Sequence, residues 1–264
     1  MKLGFIGTGN MASAIMGGVI NKGLIPASEI IGSDLFAPSR DKVAKQFGIH
    51  VTESNLEVVN QAEIIVLSVK PQFYAEVIAE IRDSLKDNQL IITIAPGKTL
   101  AWLEEQFGKP VKITRTMPNT PAMVNEGMTA AVPNTYMNEN DFSQVKAILE
   151  SFGKVEVVSE KLMDVVVSTS GSSPAYVYMM IEAMADAAVS GGMARSQAYK
   201  FAAQAVLGSA KMVLETDMHP GALKDMVCSP AGTTIEAVRT LEALGFRSAI
   251  IEAMKVCEEK SKNM

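Results

Sequence analysis

Two stretches of this chain carry residue types and spacings that can do chemistry. The first is Ile6-Gly7-Thr8-Gly9-Asn10-Met11-Ala12, a Gly-x-Gly-x-x-Ala turn fed by the apolar segment Leu3–Ile6. In that setting Gly7 permits a tight turn, Gly9 lets backbone approach a pyrophosphate, and Ala12 allows a helix to pack closely on a strand. The free N–H groups and the dipole of the helix that begins near Gly9 then face the phosphates of a dinucleotide. Asp34 follows about 20 residues on, where an acidic side chain can accept from a ribose hydroxyl. The second stretch is Ser229-Pro230-Ala231-Gly232-Thr233-Thr234-Ile235-Glu236. Thr233 and Glu236 have the spacing of a capping box at a helix start. Spare N–H donors there can hold a carboxylate, leaving the Thr234 hydroxyl for another substrate atom. The same spacing also suits an ordinary capped helix with no ligand.

Other chemistries find little support. Neither histidine, His50 or His219, lies in a metal-like or triad-like setting, so metal and hydrolytic chemistry are not expected. His219-Pro220-Gly221 reads as a turn between helices, and His50 as a solvated residue before a strand. Cys228 and Cys257 have no C-x-x-C or metal-type spacing, which argues for a reducing, cytoplasmic setting rather than a disulfide scaffold. A formal charge of −5 and a pI near 5.2 exclude the basic footprint of a nucleic-acid surface. The expected partners are small molecules and other protein chains. The first 20 residues look superficially like a signal peptide, but the glycine fingerprint interrupts the apolar core and accounts for the same letters, so no export signal is read. The run from Pro174 to Met193 carries Glu182 and Asp186 near its middle and reads as a buried helix, not a membrane span.

The elements that must position these residues alternate. Helices are expected from Gly9 to about Gly23, from Arg40 to Phe47 closed by Gly48, from Pro71 to Leu85, and from Leu100 to Phe107. Strands are expected at the N-terminal segment, Glu29–Ser33, Ile64–Val69, Leu90–Ala95 and Val111–Thr116, with further candidates at Thr129–Val132 and Val155–Val158 around a helix from about Asp141 to Phe152. Ile64–Val69 is a continuous apolar run, as in parallel strands covered on both faces. This grammar specifies an α/β fold, a Rossmann-type doubly wound parallel sheet with ligands at the carboxyl ends of its strands. Three such ends are unusual: Ser68-Val69-Lys70-Pro71, Ala95-Pro96-Gly97 and Met117-Pro118-Asn119-Thr120-Pro121.

Beyond residue 160 the strand signals stop. Ala, Met, Val and Leu recur at helical spacing through 174–193, 195–215, 233–244 and 246–260. The expected organisation is a dinucleotide-binding domain over 1–160 and an all-α domain over 161–264. The helix from Pro174 has almost no polar face, so it should be buried all round. About 100 residues can hardly surround it with their own chain, which points to a second subunit.

With these motifs in place, the chain resembles the pyrroline-5-carboxylate reductase family over essentially its whole length. The resemblance rests on Gly4 to Ala12, Val69-Lys70-Pro71, Met117 to Pro121, Ser170-Gly171-Ser172-Ser173-Pro174-Ala175-Tyr176, His219-Pro220-Gly221, and most specifically Leu223-Lys224-Asp225 with Ser229 to Ile235. It implies NADPH- or NADH-dependent reduction of Δ1-pyrroline-5-carboxylate to L-proline by a homodimer or dimer-based decamer with a helical dimerisation domain. By match, Ile6, Gly7, Thr8, Gly9, Asn10 and Met11 would line the cofactor, as would Asn55; Ser33 and Asp34, from their place at the end of the second strand, are the candidates for its ribose. Ser68, Val69, Lys70 and Pro71, with Ala95, Pro96 and Gly97, complete that set. Ser229, Ala231, Gly232, Thr233 and Thr234 would line the substrate, with the catalytic Thr234 hydroxyl meeting the ring nitrogen. Ser173 and Ala231 stand where the family pattern commonly has glycine, and Met226 where some members have Asn.

Two readings at the end of the second strand remain open. Either Asp34 faces the ribose and favours NADH, or Ser33 faces it with Arg40 nearby and NADPH is accepted. Two other functions are kept alongside. A 3-hydroxyacid dehydrogenase of similar architecture would need a lysine acid/base that Ser170 to Tyr176 does not offer. A non-catalytic dinucleotide sensor would need no carboxylate nest.

Overall fold

A computed structural model describes residues 1–263. Eight strands form one sheet: β1 (Leu3–Ile6), β2 (Ile30–Ser33), β3 (His50–Thr52), β4 (Ile64–Leu67), β5 (Leu90–Thr93), β6 (Lys112–Met117), β7 (Gly127–Pro133) and β8 (Gly153–Val157). Their spatial order is β3-β2-β1-β4-β5-β6-β7-β8. β1 lies between β2 and β4, where the strand order reverses, and this is where open α/β sheets bind ligands.

The apolar run in β4 shows why both faces must be covered. Ile64 and Val66 join one core with Leu3, Phe5, Ile15, Met16 and Phe152, while Ile65 and Leu67 join the other with Val58, Tyr74, Ile78 and Phe107. Successive side chains point to opposite faces, so one strand feeds two cores. The first core is closed by α1 (Asn10–Asn21), α2 (Ala37–Phe47) and α6 (Glu139–Leu149). The second is closed by α3 (Asn55–Gln61), α4 (Tyr74–Ile81) and α5 (Leu100–Phe107).

Several elements depart from the sequence reading. The sheet is not wholly parallel, because β7 pairs antiparallel with β6 and β8 is parallel to β7. A parallel return would need a crossover of a dozen or more residues, and the chain turns from Met117 to Gly127 through a single 3₁₀ segment, Thr120–Val124. His50 is exposed, but it begins β3 rather than preceding it. The short α3 has no long periodic pattern to announce it. It is capped by Ser54, which accepts from Glu57 N, and its Val58 and Ala62 sit where a Cβ on Gly4 would fall within 2.7 Å of them. The helix expected from Pro71 begins as a 3₁₀ turn, becomes α4 only at Tyr74 and ends in a second 3₁₀ turn, Arg82–Ser84.

The chain divides into two compact units, Met1–Ser172 with Cys257–Met264, and Ser173–Val256. Residues 161–172, grouped by sequence with the helical half, pack in the first unit. There α7 (Met163–Val166) buries Met163 beside Ala130 and Val132, and Asp164 accepts from the Ser261 hydroxyl at 2.6 Å.

The second unit contains α8 (Ser173–Ser190), α9 (Arg195–Thr216), α10 (Pro220–Val227), α11 (Thr233–Ala243) and most of α12 (Phe246–Lys262). His219-Pro220-Gly221 does connect two helices, α9 and α10, but Pro220 and Gly221 already belong to the first turn of α10: His219 is its N-cap, with Nδ1 accepting from Gly221 N at 3.0 Å, and Pro220 suits that position. The expectation that α8 is covered all round is not met by a single chain. Only Ala185 of α8 is buried, and Tyr178 and Met179 are 58% and 68% exposed.

Candidate functional site

The carboxyl ends of β1, β2 and β4 are stitched together by their own backbone. Gly7 N donates to Ser33 O and Ser68 N to Ile6 O, each at 2.8 Å, and the Ser68 hydroxyl donates to Gly7 O at 2.7 Å. Gly7 has φ +94°, and a Cβ there would lie 2.8 Å from the Ser68 carbonyl. Only glycine fits that corner. Gly9 is the opposite case: a Cβ would meet nothing within 4 Å, so its backbone faces open space. Gly9 is also the N-cap of α1, with no side-chain hydrogen bond to the first N–H groups. An open, uncapped helix start behind a glycine corner is a cradle that fits a pyrophosphate.

The remaining proposed cofactor residues fall along the same edge. Asp34 turns its carboxylate onto the glycine turn: Oδ2 accepts from Thr8 N at 2.9 Å and from the Thr8 hydroxyl at 3.1 Å, and Oδ1 accepts from Phe36 N. Ser33 is fully buried, and its hydroxyl donates to Asn55 Oδ1 at 2.7 Å, while Asn55 Nδ2 donates to Glu80. Arg40 binds Asp34 O and pairs with Glu53. Ser68, Val69, Lys70 and Pro71 follow β4, with Lys70 exposed. Ala95, Pro96 and Gly97 follow β5, with Gly97 at φ +75°.

Sequence reasoning missed Tyr74. It is fully buried, donates to Leu67 O at 2.5 Å and accepts from Ile94 N at 3.3 Å, so it ties the end of β4 to the end of β5. Burial pushes its phenol well above the ordinary range, which keeps it a donor. Its only sequence signal was an aromatic residue in a helix that faces the sheet.

The second motif lies in the other unit, at the turn from α10 into α11. Here the capping-box reading is corrected. The N-cap is Gly232, not Thr233, and no side chain caps it; Glu236 instead pairs with Arg239 at 3.0 Å. The turn tightens through Gly232 N donating to Ser229 O at 3.0 Å, which moves the helix start one residue back and releases Thr233 from capping. Ala231 sits at φ +53°, a left-handed conformation that costs an L-residue roughly 1–2 kcal/mol. The N–H groups that open α11 therefore stay available as donors, with Thr234 half-buried among them.

An open, mostly parallel sheet with a glycine corner at its strand-order reversal, followed by a helical unit, defines the Rossmann-type class of protein. Residues 2–97 match the family model described as NADP oxidoreductase, coenzyme F420-dependent, and residues 160–264 the model described as pyrroline-5-carboxylate reductase dimerisation. The pyrroline-5-carboxylate reductase of Escherichia coli K12 is 56% identical over all of this chain and 98% of its own length. The chain belongs to the pyrroline-5-carboxylate reductase family. Among solved structures, the Coxiella burnetii reductase superposes with a TM-score of 0.91 at 33% identity, covering 99% of this chain and 97% of that one. The Plasmodium falciparum reductase, solved with NADP bound, also gives 0.91, at 34% identity, over 100% of this chain and 97% of that one.

Proposed function

We propose that this chain catalyses the NAD(P)H-dependent reduction of Δ1-pyrroline-5-carboxylate to L-proline. The observation that carries this reading is the end-to-end match to a reductase of that name, in a chain that has the glycine turn at one chemical stretch and the paired threonines at the other. In this reading residues 1–160 bind the dinucleotide, and residues 161–264 bind the imino acid and dimerise.

When bound, the dinucleotide supplies a hydride to the imine carbon. This chain's part is to place and hold. Gly7 and Gly9 bring backbone N–H groups to the pyrophosphate, with Thr8, Asn10 and Met11 beside them and Ile6 beneath. Asp34 and Asn55 take the ribose side, and the buried Ser33 hydroxyl holds Asn55 in place there. The strand ends at Ser68, Val69, Lys70 and Pro71 and at Ala95, Pro96 and Gly97 fix the reactive end. The uncapped start of α11 takes the substrate carboxylate through Ser229, Ala231, Gly232 and Thr233, and the Thr234 hydroxyl hydrogen-bonds the ring nitrogen. A protonated imine is already electrophilic, so orientation at a placed carbon carries more of the rate than a strong acid would. This accounts for a site without a histidine or lysine dedicated to proton transfer.

The working form in this reading is a cytoplasmic homodimer, or a dimer-based decamer. Its support is the match of residues 160–264 to a dimerisation model and the uncovered side chains of α8 and α9. No helix among the described residues is long and apolar enough to cross a membrane. The test is direct: loss of reduced-nicotinamide absorbance with Δ1-pyrroline-5-carboxylate, and formation of proline in equal amount. No proline under saturating NADPH or NADH would overturn the proposal.

A further inference from the structure

We infer that Arg115 is a positioning residue for the loop after β5, acting through Glu160. The inference rests on the reading that Ala95, Pro96 and Gly97 line the dinucleotide. That loop runs from the end of β5 at Thr93 to the start of α5 at Leu100. At its entrance Ile94 N donates to the Tyr74 hydroxyl. At its exit Leu100 N donates to Glu160 Oε1 at 2.7 Å. Thr99, the N-cap of α5, already spends its hydroxyl on Trp102 N, so Glu160 satisfies a second N–H at the same helix start. A carboxylate there is also favoured by the helix dipole.

What holds Glu160 is Arg115. Its side chain lies inside the sheet on β6, 6% exposed, and its Nη1 donates to the same Glu160 Oε1 at 2.7 Å. Both residues line a cleft of about 310 Å³ together with Gly97, Thr99, Lys161 and Asp164. A guanidinium buried in a strand is costly unless paired. The pair here is aimed at one backbone N–H, and that N–H ends the loop. Arg115 stands on β6, three places along the sheet from β1 and its glycine corner. Its influence passes through the Glu160 carboxylate to Leu100, and from there to Gly97, whose left-handed backbone leaves the loop's path to be set by its two ends.

The experiment measures dinucleotide Kd and the KM of each substrate for Glu160→Ala, Arg115→Met and Arg115→Lys, all well below their Tm. Glu160 is one-third exposed in its side chain, so Glu160→Ala tolerates folding best and carries the decision. Expected is a dinucleotide Kd weakened about tenfold in Glu160→Ala and Arg115→Met, an imine KM within about twofold of wild type, and recovery of most of the affinity in Arg115→Lys. A merely structural pair would lower Tm and leave Kd unchanged. Gly9→Val serves as the control for the parent reading. If the wild type binds no dinucleotide, that reading falls and this one with it. If Gly9→Val loses binding while Glu160→Ala keeps wild-type Kd, the inference about Arg115 is overturned alone.

Discussion

The two compact units differ in how far each completes itself. In the first, the central strands β1, β2, β4 and β5 are buried along their whole length, and large side chains such as Phe5, Met16, Tyr74 and Phe107 have almost no exposure. In the second, the fully buried apolar residues are Ala185, Ala198 and Ala202, while Tyr178, Met179, Phe201 and Leu214 stand 58% to 80% exposed. Exposed single apolar residues are ordinary, but a contiguous set on adjacent helices is the mark of a surface meant to be covered. The first unit is a finished core carrying a cradle. The second is a half-core carrying a nest.

The largest test of this contrast is paired. Phe5→Ala removes a fully buried ring from the finished core and is expected to cost about 3–5 kcal/mol, read as a shift in urea midpoint. Met179→Lys, on the unfinished face, should leave the far-UV spectrum native-like and reduce the assembled species to monomer in light scattering, because assembly would bury an unpaired charge. Retention of wild-type mass by Met179→Lys would break the comparison.

Gly9→Val sharpens the cradle half. The residue has an ordinary φ of −69° and nothing within 4 Å of a Cβ, so the fold should tolerate the change. Dinucleotide affinity should nevertheless fall at least about tenfold, roughly 1.4 kcal/mol, by fluorescence titration. An unstable protein with unchanged affinity would reverse that assignment.

Thr234→Ala probes the nest. Loss of a hydrogen bond to the reacting nitrogen should lower kcat/KM by about tenfold to a hundredfold, roughly 1.4–2.7 kcal/mol, with dinucleotide Kd unchanged. Thr233→Ala removes a hydroxyl that caps nothing and keeps the backbone N–H offered to the carboxylate, so it is expected to keep both stability and rate. Equal rates for the two variants would move the substrate nitrogen away from Thr234. The smallest effect is expected from Ala231→Gly. Relief of the left-handed alanine should raise stability by at most about 1 kcal/mol, partly offset by the greater freedom of glycine in the unfolded chain, and calorimetry would detect it as a small rise in Tm.

Local pattern made much of this legible. Ile64 to Leu67 had the apolar run of a doubly covered strand and forms one, and Gly7 with Gly9 declared a turn into a helix. Gly48 announced the end of α2, where it adopts φ +71° as the cap. These signals live in a few adjacent residues, and backbone sterics or apolar periodicity fix their outcome wherever they occur. The family resemblance likewise lay in short motifs that needed no structure.

What only the tertiary structure decided depends on residues far apart in the chain. The reversal at β7 follows from pairing with β6, not from any feature of Gly127 to Pro133. The release of Thr233 follows from a backbone bond to Ser229, which moved the helix start by one residue. α3 exists as a helix because Val58 and Ala62 have β1 to pack on at Gly4. The Asp34 carboxylate, read as facing a ribose or turned away, is engaged by Thr8, 26 residues earlier. Arg115 and Glu160 meet across 45 residues and converge on Leu100 N. Sequence patterns report what a segment does with its neighbours in the chain. Which distant groups share a hydrogen bond is set by packing the whole sheet, because only that brings them within a few ångströms.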